Sequence, residues 1–346
     1  MTFHDRALLG GTALARPRVR HFTRDAMSTY DRATIDATGV FLIGELERLD
    51  PTINAPLVAY TWSRDIELRE DVGIEDEQAS FTNSTFAAVG GIQPNGKAWA
   101  GKDANAIAGL ALDIGKTPQP LHLWAMELGW TIPELASAMK TGRPIETDKI
   151  EGMNLKHQMD IDEQVYVGDT LLAIPGLLTS SQVAATNVSG GTWAAKIATG
   201  TQAGTQGILQ DVNTLVNEAW ASSGYKQAPT DLRIPPAQFG VLAATPVTQA
   251  GSVSILEFLR VNCISNSING RPLNIQPLKW ATGQGAGGAD RMLAYTNDKK
   301  YVRFPLVPLQ KTPLEYRSLF QMTTYFGRLG QVEFRYPETL AYADGI

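Results

Sequence analysis

The chain has 346 residues, with 30 Lys and Arg against 35 Asp and Glu for a formal net charge of −5. Its hydrophobic fraction of 43% supplies a core, and its acidic balance argues against a general nucleic-acid-binding surface. One cysteine, Cys263, excludes an intrachain disulfide framework and a CxxC zinc site.

No run approaches the ~18 apolar residues of a membrane span. The N-terminus MTFHDRALLGG lacks the sustained apolar region of a signal peptide. A soluble intracellular protein is expected.

Residues 1–50 open with a basic segment. Arg6, Arg16, Arg18, Arg20 and Arg24 face only Asp5 and Asp25 up to position 25. Gly10, Gly11 and Pro17 oppose a long helix, so an extended arm is expected, reaching a neighbouring subunit or a nucleic acid. The alternative is a frayed terminus. A short helix is expected within 31–49.

Residues 57–69 have strand character, with Val58, Tyr60 and Trp62 on one side. Residues 71–113 are rich in Gly, Ala and Asn and short of large aliphatics, with turn signals at Gly90-Gly91 and Asn95-Gly96. They read as a long two-stranded excursion or a loop with a binding role. Residues 121–130 alternate as a strand, and Thr131 with Glu134 forms a capping box ahead of a helix through Lys140.

The longest helix is expected over 144–167. Pro144 suits its first position, Glu146 and Asp148 complement its dipole, and Gly168 sits where a left-handed cap is expected. Ile150, Met153, His157, Ile161 and Val165 form one apolar stripe, and Leu155, Met159 and Tyr166 a second on nearly the opposite side. A two-striped helix of roughly 33 Å reads as a strut clamped between two layers.

From 170 to about 312 short helices and strands alternate. Ile208, Val212, Leu215 and Ala219 mark an amphipathic helix ending near Gly224. A buried strand follows at 231–234, then helices at 236–244 and, after a capping box from Ser254 to Glu257, through about Asn262. Asn269-Gly270 signals a hairpin, and strands are expected at 292–295 and 301–306. The tail reads as strands at 316–324, 332–336 and 339–342, with Gly327 and Gly330 at a turn.

Gly283, Gly285 and Gly288 spell G-x-G-x-x-G, but a strand-like RMLAY follows where a dinucleotide site needs a helix, so a flexible loop is the better reading. His4, His21, His122 and His157 lack metal-ligand spacing. His157, in an apolar stripe, reads as a packing residue. Asp160, Asp162 and Glu163 suggest a solvated surface more than a cation site, and Glu75, Asp76 and Glu77 a charged loop tip. Cys263 has no neighbouring histidine to activate it. Asn83 and Asn187 begin glycosylation sequons that matter only in a secretory compartment. Catalytic, cofactor and metal residues are all expected to be absent.

The order of motifs resembles the tailed-bacteriophage major capsid proteins of the HK97-like fold. The carriers are YVGDTLLAIPGLL at 166–178, TDLRIPPAQFGVL at 230–242, SILEFLRVN at 254–262, DRMLAYTND at 290–298 and RYPETLAYADGI at 335–346. The resemblance implies an α+β subunit with an N-terminal arm at 1–50 and a peripheral (P) domain built from 51–70, 114–169 and 313–346. Its spine helix would be 144–167. The extended (E) loop would be 71–113 and the axial (A) domain, an α/β unit, 170–312.

It further implies a non-enzymatic subunit that self-assembles as pentamers and hexamers into an icosahedral head shell around double-stranded DNA, without sequence-specific binding and without a membrane. A portal protein, and scaffold or decoration proteins, would be its partners, and the virion capsid, built in the host cytoplasm, its location. Candidate assembly residues are Arg16, Arg18, Arg20, Lys97, Trp99, Lys102, Met153, His157 and Ile161. An encapsulin-like cage subunit shares the implied fold. An α/β enzyme with a mobile lid is the alternative from another class.

Overall fold

The computed structural model describes residues 58–89, 109–141, 145–248, 251 and 253–346. The chain divides into two compact units, one of Met1–Tyr60 with Trp130–Met159 and the other of Thr61–Gly129 with Asp160–Ile346.

In the first unit, α2 (Ile132–Thr141) begins at the expected capping box. The Thr131 amide donates to Glu134 Oε2 at 3.3 Å, and the Glu134 amide donates to Thr131 Oγ1 at 3.2 Å. The long helix α3 (Ile145–Tyr166) follows the sequence reading to within a residue at each end. Its first stripe is buried from Met153 on: Met153, His157, Ile161 and Val165 are 5% exposed or less, while Ile150 is half-buried. The second is only half-buried until Tyr166, so the helix is more one-sided than the stripes suggest.

The larger unit holds two main sheets. In the five-stranded sheet, β7 (Ala184–Asn187), β15 (Ala341–Asp344), β10 (Arg291–Tyr295), β8 (Asp231–Ile234) and β9 (Asn274–Pro277) are neighbours in that order. Successive strand residues point to opposite faces. Leu232, Ile234, Met292, Ala294, Ala341 and Ala343 enter one core, and Leu293, Tyr295 and Tyr342 another. A sheet buried on both faces usually reads as continuous apolar sequence, but in β8 Asp231 and Arg233 alternate with Leu232 and Ile234 and all four are buried.

The first core is closed by α5 (Gln202–Ser222), which buries Ile208, Val212, Leu215, Val216 and Ala219 at helical spacing. It also draws on α4 (Trp193–Ala198), α6 (Pro236–Ala244) and α7 (Ile255–Asn262), the last capped by Ser254 as expected. The second core takes Ile161, Val165 and Tyr166 from the C-terminal end of α3.

The six-stranded sheet runs β1 (Glu67–Arg69), β11 (Val302–Lys311), β13 (Phe320–Leu329) and β12 (Glu315–Arg317). There β4 (His122–Thr131) pairs with β13 and β14 (Glu333–Phe334) with β11.

Several sequence expectations need correction. In the span read as a strand over 57–69, Trp62–Asp65 form a helical turn, α1, and only Glu67–Arg69 pair in a sheet. The reason is tertiary: Asp162 Oδ1 accepts the Thr61 and Trp62 amides at 2.7 and 3.0 Å and caps that turn from the long helix. Asn269-Gly270 makes no hairpin; Gly270 takes φ 65° and ends α8 (Ile264–Asn269). Gly327 lies inside β13, where a Cβ would come within 2.9 Å of the Val307 carbonyl oxygen. The excursion beginning at 71 continues past 113 to Pro120. The strand at 302–311, grouped by sequence with the 170–312 unit, pairs in the six-stranded sheet, while 341–344 pairs in the five-stranded one.

Candidate assembly surfaces and the polar node behind them

The excursion is a ribbon of two strands, β2 (Gln78–Val89) and β3 (Gly109–Pro120), antiparallel in unbroken register from Gln78↔Pro120 to Val89↔Gly109. Its base is anchored: Ala79 is buried with Val72, Leu121 and Val307 in a small core of their own, and Phe81 is buried too. Beyond the base it is exposed. Register places Ser84 opposite Ile114 and Phe86 opposite Leu112. Period-two alternation then puts Phe86, Leu110, Leu112 and Ile114 on one face. These four are 65%, 73%, 53% and 60% exposed. Asn83, Thr85, Ala87, Ala111, Asp113 and Gly115 fall on the other face.

A two-stranded ribbon is marginal by itself in water, and an apolar face of this kind marks an interaction surface. A second exposed group, Leu314, Tyr316, Leu319 and Phe320, surrounds the β12–β13 hairpin.

Behind these surfaces a buried polar node ties together distant parts of the chain. Asp65 and Arg233 are both fully buried. Arg233 Nε donates to Asp65 Oδ1 at 2.9 Å, and Nη2 to Asp231 Oδ1 at 3.0 Å. Tyr166 donates to Asp65 Oδ2 at 2.5 Å, and Arg64 Nε donates to Oδ1 at 2.6 Å. Burial, with the Asp65 charge beside it, pushes the Tyr166 phenol well above its usual range, so it stays a donor.

Asp162, also fully buried, uses Oδ1 for the α1 cap and takes Trp280 Nε1 at 2.6 Å and Lys279 Nζ at 3.0 Å on Oδ2. The expectation of a solvated Asp162 is therefore overturned. Its side chain lies on the helix face that meets α1 and Trp280, contacts that sequence spacing does not reveal.

The glycine loop also has a structural task. Gly283 and Gly288 take φ values of 71° and 78°, and β10 follows as read from sequence. The Gly283 amide donates to Asp290 Oδ1 and the Ala286 amide to Asp344 Oδ2, both at 3.0 Å. Donors that a phosphate would need are engaged by the chain's own carboxylates. Burial pushes the Asp344 carboxyl up, but hydrogen bonds from Arg291 and the Ala286 amide, with the Arg291 charge, outweigh it and leave its pKa below the usual value. Burial raises the Cys263 thiol, which keeps it protonated.

Of the residues proposed for assembly, Arg16, Arg18, Arg20, Lys97, Trp99 and Lys102 lie outside the described residues, as do the short helix in 31–49 and the extended arm. Ile161, 1% exposed, packs in the subunit's own core, and Met153 and His157 are similarly buried. Sequence reasoning missed Phe86, Leu110, Leu112 and Ile114, although the alternation in LALDI was a legible signal. Among the described residues no group of three or more His, Cys, Asp or Glu is placed to hold a metal ion, and no helix is long and apolar enough to cross a membrane.

A family model described as major capsid protein matches residues 96–346. No curated protein matches the sequence. Among solved structures, the capsid of Myoviridae phage XM1 is similar at a TM-score of 0.70 and 18% identity, covering 89% of this chain and all of that one. The capsid of a native GTA particle matches at 0.58 and 12%, covering 91% and 99%. A structure from Microbacterium phage Oxtober96 matches at 0.52 and 10%, covering 86% and 95%. At these identities the likeness shows the fold, a mixed α+β architecture shared with capsid proteins.

Proposed function

The chain belongs to the major capsid protein family, structural and non-enzymatic subunits of a virion shell, and on that premise we propose that it builds the head of a tailed bacteriophage through its exposed ribbon. The observation that carries this is the apolar face of β2–β3, which stands clear of the subunit's own cores. A second copy supplies the missing cover: the ribbon is the extended loop, lying over a neighbour.

The remaining parts follow from the resemblance. Residues 1–50 are the arm. Helix α3 and the six-stranded sheet form the peripheral domain, and the five-stranded sheet with its helices forms the axial domain around five- and sixfold axes. Each contact is weak alone, but a closed shell of pentamers and hexamers repeats it many times. A net charge of −5 suits a container that must hold double-stranded DNA without binding it tightly. A portal protein and scaffold or decoration proteins complete the proposed assembly.

The test is particle size. Purified protein is expected as megadalton shells by size-exclusion chromatography and negative-stain microscopy. A persistent 37.5 kDa monomer at high concentration would sink the proposal.

A further inference from the structure

Past the end of α5 the chain turns sharply, with Gly224 and Tyr225 at φ 66° and 62°. That left-handed conformation is unfavourable for tyrosine. It leaves the Tyr225 ring 65% exposed, edge-on to Trp220 with the ring centroids 4.9 Å apart. Two other segments meet this turn. The Tyr301 hydroxyl, just ahead of β11, donates to Gln227 Oε1 at 3.0 Å, and the Arg335 amide, just after β14, donates to the Tyr301 carbonyl at 3.0 Å. The rings of Tyr301 and the exposed Tyr336 then lie 5.8 Å apart.

Positive charge collects on the same surface. Lys226, Lys299 and Lys300 are exposed, and Lys300 Nζ stands 5.5 Å from the Tyr301 ring centroid. None of the three enters a salt bridge among the described residues. Arg335 Nε is shielded from solvent and has no hydrogen-bond partner among the described residues. The acidic residues of these segments are Asp298 and Glu338, and Asp298 Oδ1 already accepts the Lys300 amide at 2.7 Å. Four cations against two carboxylates make a locally positive surface on a chain of net charge −5.

Unpaired cations set among tyrosines suit a sugar-phosphate chain. Lysine and arginine supply charge to phosphate, and the tyrosine hydroxyl adds a neutral donor while its ring packs on the sugar. The whole-chain charge opposes a general nucleic-acid surface, but a patch this small gives a weak grip that ignores sequence. We propose that Lys226, Lys299, Lys300 and Arg335, with Tyr225 and Tyr336, hold the phosphate backbone of double-stranded DNA. On the shell reading, on which this rests for its source, that DNA is the one enclosed.

Unassembled full-length subunits and a labelled duplex of about 30 base pairs of random sequence provide the test, by fluorescence anisotropy between about 50 and 200 mM salt. One variant carries Lys226→Gln, Lys299→Gln and Lys300→Gln. A control carries Lys116→Gln, Lys140→Gln and Lys311→Gln, the same change of charge at exposed positions elsewhere. The patch variant is expected to bind at least about tenfold more weakly at the lower salt and to flatten the slope of log K against log salt by about 2.7, the share of three phosphate contacts. The control is expected to lose less than about threefold. Equal losses from the two variants overturn the proposal, since net charge alone would then explain the binding. An unchanged patch variant also overturns it and places any DNA contact elsewhere, as on the basic segment before residue 25. Displacement of the DNA by polyglutamate at equal charge overturns it in favour of an acidic protein partner.

Particles give a second measurement. Lys226, Lys299 and Lys300 should be protected from an amine-acylating reagent in DNA-filled particles and react in emptied ones, read by peptide mass spectrometry. Equal reactivity in the two overturns the proposal. Failure of the unmodified chain to form particles would instead refute the shell reading and leave the result on unassembled subunits standing.

Discussion

At the scale of single residues, buried charge decides more than surface charge. Arg233 is fully buried between Asp65 and Asp231, and its guanidinium lies 5.4 Å from the Tyr295 ring centroid. Removing one member of such a pair strands the other, at about 3–5 kcal/mol. Arg233→Leu is therefore expected to lower the stability of the unassembled subunit by that amount in urea denaturation, and an unchanged midpoint would show the node to be inessential. Asp344 makes a pH-dependent contribution. Its pKa is lowered in the fold, chiefly because Arg291 holds it against the cost of burial. The stability it supplies is present above the unfolded value of about 3.9 and fades as pH falls through the lower folded value. Arg291→Met should remove this part of the acid sensitivity, seen as a flatter loss of stability below about pH 4 in acid titrations of the two proteins.

At the scale of elements, the end of the long helix is a joint built from backbone. Leu177 and Leu178 donate their amides to the Val165 and Tyr166 carbonyls at 2.7 and 3.0 Å, satisfying acceptors that a helix leaves open at its C-terminus. Gly176 permits the approach, since a Cβ there would lie 2.5 Å from the Tyr166 carbonyl carbon and oxygen. Backbone on both sides leaves little room to yield. Gly176→Ala should cost about 1–3 kcal/mol, read as a lower melting temperature of the subunit. The ribbon behaves oppositely, because its exposed face contributes little to the subunit's own stability. Phe86→Ser with Leu112→Ser should leave the melting temperature of the unassembled protein unchanged while abolishing particles. Shells of normal yield would exclude the ribbon as an assembly element.

At the scale of the whole molecule, folding and assembly are carried by different residues. The cores of the larger unit draw on the two sheets, α5 and the end of α3, and contain no ribbon residue beyond its base. Replacing 83–115 by a two-residue turn should therefore yield a folded, soluble subunit with normal circular dichroism that forms no shells. Loss of folding would show that the ribbon belongs to the subunit's core.

Much of this was legible in the sequence because its causes are local. The 3.6-residue spacing of Ile208, Val212, Leu215 and Ala219, the capping boxes at Thr131 and Ser254, and Gly168 after the long helix each act through neighbours a few residues away. The run of motifs from 166 to 346 carried the family. What the tertiary structure alone decided depends on partners far along the chain. Asp162 looked solvated until its oxygens met amides about a hundred residues away, and that capping turned an expected strand at Trp62–Asp65 into a helical turn. Gly270 resembled a hairpin signal until the preceding residues proved helical. The ribbon's apolar stripe needed the register that sets Phe86 beside Leu112. Spacing along one strand names a face, but pairing is needed to add the second strand to it, and burial to show that the subunit leaves it uncovered.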